Sequence, residues 1–293
     1  MNSKQRRSRK FFAKLLLIFF GFLLGAFVAE IALRIAGFSY PEFYTRDDVR
    51  GAALLPGAEG WYRKEGEAYV RINSDGLRDQ EHAIAKPANT FRIAVLGDSY
   101  CEALPVPLEE AFWSVMGRKL KECDALRDKQ VEVINFGVSG YGATQELLTL
   151  REKVWKYSPD LVLLAFTTNN DVTDNSRMLK KTDDVPYFVL ENDQLKLDDS
   201  FKHTRAFGWN NSALGRIGSW FKIHSRLVQS AIQGQRGLRI QIALWRLRRA
   251  SKSKTESAAA SSASPSPTKA DLFARIDELG ADNLVYLEPE NAV

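Results

Sequence analysis

The chain has 293 residues, 45% of them hydrophobic and 26% charged, with a formal net charge of +5. That is enough apolar residue for one or two packed domains. Two cysteines, Cys101 and Cys123, make neither a metal pattern nor a disulfide framework, and basicity is the only feature shared with nucleic-acid binders. Residues 1–10 form a basic head with Arg6, Arg7, Arg9 and Lys10. The apolar block 11–38 follows, broken only by Lys14, Glu30 and Arg34. Its length predicts a transmembrane helix, with Lys14 and Arg34 reaching the two interfaces. A cleaved signal peptide is the competing reading; the absence of a clean A-x-A site after Leu24 favours an uncleaved anchor. Basic residues mark the cytoplasmic flank, so a single-pass protein of the cell membrane is expected, with everything beyond residue 40 outside the cytoplasm.

Residues 39–72, with Pro41, Pro56 and several aromatics, read as a stalk that packs on the following domain, which is expected to span 73–293. Asn73 to Asp79 is a turn signal at its entry. Ile93 to Leu96 is an apolar run that stops on Gly97, Asp98 and Ser99, the pattern of a strand buried on both faces of a parallel sheet. Pro107 to Glu122 predicts an amphipathic helix begun by proline. A second apolar strand from Val131 runs into the glycine-rich turn ending at Gly142. A helix is expected over Thr144 to Tyr157, and a third buried strand within Asp160 to Asp171 ends in Thr-Thr-Asn-Asn-Asp. This alternation argues for a right-handed parallel βαβ layout. Parallel strands deliver Ser99, Gly140 and Asn170 to one sheet edge, which sets a nucleophile beside a backbone N–H and a side-chain amide.

These three blocks resemble the SGNH hydrolases, also called GDSL esterases and lipases, over roughly residues 73–177. The resemblance implies an α/β fold with a three-layer α/β/α, flavodoxin-like parallel sheet, here preceded by the transmembrane helix. It also implies that Ser99 is the nucleophile and that Ser99, Gly140 and Asn170 form the oxyanion hole, acting on an acyl-ester substrate with no cofactor and no metal. The third block departs from the family pattern, because Asn169 stands where glycine is usual. The family's D-x-x-H block, which supplies the general base, has no counterpart after Asn170. The expectation is therefore a chain truncated after the strand-like Leu284 to Leu287, with impaired turnover that the missing segment would restore. Asp79-Gln-Glu-His82 is literally D-x-x-H, but it precedes the nucleophile strand and reads as a surface turn. His203 and His224 read as ordinary surface or packing residues. A G-x-S-x-G elbow around Ser139 is one residue out of register.

Beyond Arg177 the chain is less legible. Ser200 to Thr255 contains no acidic residue and many basic ones, interleaved with Trp220, Phe221, Leu244 and Trp245. A helical insertion over 200–250 is expected, either packed on the domain or, through 214–250, lying on the membrane surface. Residues 251–269 read as a disordered linker, followed by a short helix over Ala270 to Leu279. Three functions stay open: an ester hydrolase, an O-acyltransferase handing the acyl group to a sugar hydroxyl of an envelope or exported glycan, and an inactive binding domain on the same fold.

Overall fold

In the computed structural model residues 3–259 are described. The second half of the expected linker, the helix expected over Ala270 to Leu279 and the strand-like Leu284 to Leu287 lie outside them. Helix α1 (Ser3–Ile35) takes in most of the basic head as well as the apolar block. Its stretch Phe11–Ile35 has mean hydropathy 2.5 and is long and apolar enough to cross a membrane. At 1.5 Å per residue that stretch is about 37 Å long, against roughly 30 Å of hydrocarbon.

The stretch expected as a stalk is folded. It forms two antiparallel hairpins, β1 (Tyr44–Asp47) with β2 (Gly51–Leu54) and β3 (Glu59–Tyr62) with β4 (Ala68–Arg71). Phe43, Leu54, Val70 and Ile72 are buried with Leu104, Val138 and Tyr141 from later in the chain. The compact unit accordingly begins at Ser39 and runs to Ser225. Proline and glycine signals dominate this stretch because its strands are only four residues long, too short to show a period of two.

The centre of that unit is a three-stranded parallel sheet in the order β6-β5-β7, with β5 at Thr90–Gly97, β6 at Gln130–Asn135 and β7 at Leu161–Ala165. Ala94 stands opposite both Ile134 and Val162, which fixes the register on either side. Ile93 and Val95 pack with Val131, Val133 and Trp113 on one face. Ala94 and Leu96 pack with Ile134, Phe136, Val154 and Tyr157 on the other. Both faces of β5 are therefore covered, which explains its unbroken apolar run; β7, expected to be buried, instead ends the sheet among the described residues and leaves Leu161 and Leu164 exposed.

After β5 come the one-turn helix α2 (Ser99–Glu102), a 3₁₀ turn at Leu108–Glu110, and α3 (Phe112–Leu120). The helix expected from Pro107 thus starts five residues later. Pro107 instead precedes the 3₁₀ turn, and Ala111, at ψ 137°, breaks the path between the two. The next expected helix is also divided: α4 (Ala143–Glu152) ends at Lys153, and a 3₁₀ turn covers Val154–Tyr157. Beyond β7 lie α5 (Asn170–Asp174), α6 (Arg177–Lys180) and a hairpin of β8 (Tyr187–Glu191) with β9 (Gln194–Asp198) that no sequence signal announced.

The basic segment is helical but belongs to two bodies. Helices α7 (Arg205–Asn211) and α8 (Ala213–His224) are part of the 39–225 unit, while α9 (Arg226–Ala259) groups with α1. Glu30 joins those two helices: its Oε1 and Oε2 accept the backbone N–H groups of Arg226 and Leu227 at 2.9 and 3.0 Å. Helix α9 continues through Ser251–Ala259, the first half of the expected linker. Alanine, lysine and glutamate there are good helix formers, so the low-complexity composition does not by itself end the helix.

Candidate active site

β5 ends at Gly97, and the chain turns at once into α2. Asp98 caps the turn: its Oδ1 accepts the N–H of Tyr100 at 3.0 Å. The turn is tight because Cys101 packs beneath it. A Cβ on Gly97 or on Gly137 would overlap Cys101, so the strand end and the β6 loop both need glycine there. Cys101 is buried as a small hydrophobe, and burial pushes its thiol up to about 12. Ser99 is the first residue of α2, and it is exposed while Asp98 beside it is buried.

Gly140 and Asn170 sit at matching places on the flanking strands. Each lies five residues beyond a strand end, Asn135 for β6 and Ala165 for β7. Gly140 has φ +77°, a left-handed conformation that suits glycine. Asn170 opens α5, and its Nδ2 donates to Asp98 Oδ2 at 3.0 Å. One hydrogen of that NH₂ group remains for another acceptor. Asp98 thus ties the residue before Ser99 to the strand on one side. Asn169, where the motif pattern has glycine, takes a right-handed helical conformation at φ −81° and ψ −60°, so the position makes no demand for glycine here.

The link to the other side is Glu102, which sequence reasoning missed. It is fully buried, and its Oε2 accepts the Tyr44 hydroxyl at 2.9 Å, the Ser139 backbone N–H at 3.2 Å and the Ser139 hydroxyl. Burial is the largest influence on it, and despite these donors and Arg78 nearby its carboxyl is pushed up to about 7. Glu102 therefore fastens α2, which begins with Ser99, to the residue before Gly140 and to hairpin β1–β2. Tyr141 adds a second tie, donating its hydroxyl to Ala52 O at 2.7 Å. The segment read as a stalk is thus tied to α2 and to the loop that carries Gly140.

Glu146 on α4 is also buried, and burial with the Asp171 and Asp98 charges raises its carboxyl to about 8. Asp171 is raised for the same first reason, burial; its Oδ2 accepts the Thr167 N–H at 2.6 Å and shapes the loop before Asn170. Among the described residues no group of His, Cys, Asp and Glu could hold a metal ion.

His82 is not on a surface turn. It is buried, with Nδ1 at 2.7 Å from Glu132 Oε1 and Nε2 at 3.1 Å from Asp79 Oδ2. The sequence pattern missed this because the pocket is closed by Glu132, 50 residues later. Burial opposes its cation, but the Asp79 and Glu132 carboxylates outweigh that and raise its pKa. Glu132 stands opposite Arg92, near the amino end of β5. Asp79 Oδ2 also accepts the N–H of Asn135, the last residue of β6, at 2.9 Å, so the Asp79–His82 pair lies along β6 between Glu132 and Asn135. His224 stacks on Trp220 with ring centres 4.7 Å apart, as a packing residue, and His203 is exposed. Among the described residues, none of the three histidines is hydrogen-bonded to Ser99.

In the comparisons, no family model matches the chain, and no curated protein matches it.

Proposed function

We propose that the chain is a membrane-anchored serine hydrolase of the SGNH type, acting on a carboxylic ester outside the cytoplasm. The observation that supports this reading is the exposed Ser99 past the carboxyl end of the central strand, with Gly140 and Asn170 past the ends of the strands beside it. The order β6-β5-β7 supports a flavodoxin-like reading of the sheet, in which ligands bind where the strand order reverses. A three-layer α/β/α form is the arrangement this reading adopts for the domain. Arg6, Arg7, Arg9 and Lys10, ahead of the apolar stretch of α1, favour a cytoplasmic amino terminus.

In the proposed reaction Ser99 Oγ adds to the ester carbonyl carbon and gives its proton to a base. The resulting oxyanion takes hydrogen bonds from the N–H groups of Ser99 and Gly140 and from Asn170 Nδ2. The bond to the alkoxide then breaks, the alkoxide leaves with that proton, and water repeats the sequence on the acyl-enzyme. His82 is committed to Glu132 and Asp79, so the described histidines give Ser99 no base. That observation favours a second reading, a domain that binds an acyl ester without turning it over.

The test is hydrolysis of p-nitrophenyl acetate by the full chain in lipid nanodiscs. Expected is weak turnover, roughly 10³-fold above water, which is what an oxyanion site achieves without its base. Ser99→Ala abolishes it, Asn170→Ala lowers it about 10²-fold, and His82→Gln leaves it unchanged. Turnover that survives Ser99→Ala refutes the nucleophile. No turnover in the parent chain moves the conclusion to the second reading.

A further inference from the structure

Helix α8 carries its apolar face outward. The residue it turns inward is Gly215, which is buried, and a Cβ there would collide with the backbone of Trp209 and Asn210, so α7 and α8 meet backbone against backbone. Leu214, Ile217, Trp220 and Phe221 are each 47–66% exposed. At 100° per residue they fall within a sector about 120° wide, a continuous stripe down one side of the helix. Trp220 and Phe221 pack edge to face at 5.1 Å and present a joint aromatic surface. Trp209 on α7 is exposed as well. A contiguous apolar surface of this kind marks an interaction site.

Charge and composition say what covers it. No acidic residue occurs from Ser200 to Thr255. Arg205 begins α7, and Arg216 borders the α8 stripe, about 40° round the helix from Trp220. Lys222 is already paired with Glu42 at 2.5 Å, which leaves the two arginines as the charges available to a ligand. Tryptophan beside aliphatic residues with arginine at the margin is the composition of an element seated between lipid headgroups and acyl chains. The same polypeptide contains a helix apolar enough to cross a bilayer, so a lipid surface is present at high effective concentration whenever that helix is inserted. We propose that the Leu214–Ile217–Trp220–Phe221 face of α8, with Arg205 and Arg216 at its margin, docks on the anionic surface of the membrane. The inference is independent of any chemistry at Ser99.

The test uses the full chain in liposomes, with Cys123→Ser removing the exposed thiol while Cys101 stays buried. An environment-sensitive fluorophore is placed at Ile217→Cys on the stripe, or at Ser219→Cys, an exposed residue off the stripe. In bilayers containing phosphatidylglycerol the Ile217 label is expected to shift to the blue and to be quenched by doxyl groups on the upper acyl chain. The Ser219 label is expected to stay in water. Arg216→Gln and Arg205→Gln should each weaken docking about fivefold, the effect of one cation near an anionic surface, and phosphatidylcholine alone should weaken it further. Four outcomes overturn the proposal. Equal quenching at both positions means an unspecific surface. A blue shift that grows with protein density but is not quenched means a second copy. An unquenched blue shift independent of density means that the chain's own residues cover the face. No shift at all means that the face stays in water.

Discussion

Glu102 ionises at a cost that pH can read. Its carboxyl, pushed up to about 7 in the folded protein from an ordinary 4.5, keeps its proton in the folded state over a range where the unfolded chain has released it. The folded state then binds more protons, so the contribution of this group to stability is fully present below about pH 4.5 and is lost as pH rises through 7. Glu102→Gln should flatten that decline, seen as a smaller drop in unfolding temperature between pH 5 and pH 7.5. Glu146, raised to about 8 by burial and by the Asp171 and Asp98 charges, has the same sign and leaves part of the slope in place. Parallel profiles for parent and variant would show that Glu102 is not the titrating group. Nothing in Tyr100-Cys101-Glu102-Ala103-Leu104 marks this glutamate as buried, because its partner Tyr44 lies 58 residues earlier. Ser99, Gly140 and Asn170 could be placed from sequence for the opposite reason: each follows a local apolar run, and parallel pairing alone carries the three ends to one edge.

At the scale of elements, β5 holds a charge that its apolar pattern hides. Arg92 has a completely buried side chain whose Nε donates to Glu132 Oε2 at 2.6 Å. Its other nitrogens donate to Ile84 O, Ala83 O and Tyr157 O. Together with His82 this network fixes the 79–84 segment along β6. His82 is raised above 6.5 despite burial, by Asp79 and Glu132, so its contribution is fully present below pH 6.5 and is lost as pH rises through the higher folded value. Glu132, where burial is outweighed by His82 and Arg92, is lowered; its contribution is present above 4.5 and is lost as pH falls through the lower folded value. Replacing His82 by Gln should therefore destabilise the domain most between pH 4.5 and 6.5, by about 3 kcal/mol for a broken buried pair, and less in alkali. Urea midpoints at pH 5.5 and pH 9 measure the difference, and an equal loss at both would contradict it. The hairpins of 39–72 were illegible for a related reason. Their four-residue strands are held by Val138, Tyr141 and Leu104, which come much later in the chain.

For the molecule as a whole, the described chain divides into the 39–225 unit and the pairing of α1 with α9. Along the described part of α1 from Phe11 on, almost every residue is exposed; Ala29, Glu30 and Leu33 are only half so. Glu30, itself held by Arg34 at 2.8 Å, gives the first N–H groups of α9 the acceptor that a helix start needs. Replacing Glu30 by Ala should cost the start of α9 about 1 kcal/mol, the usual value of a cap. Hydrogen exchange at Arg226 and Leu227 reads it as roughly fivefold faster exchange, with the amides of β5 unchanged. Unaltered exchange at those two residues would show that the contact contributes nothing. This contact also bears on what any cleavage after the apolar segment would do. A leader that is cut away leaves the mature protein unaffected only if nothing in the mature protein is built on it. Here the apolar segment caps the start of another helix, so a peptidase cut near residue 38 would remove a structural ligand, and shortening the chain there for purification would do the same.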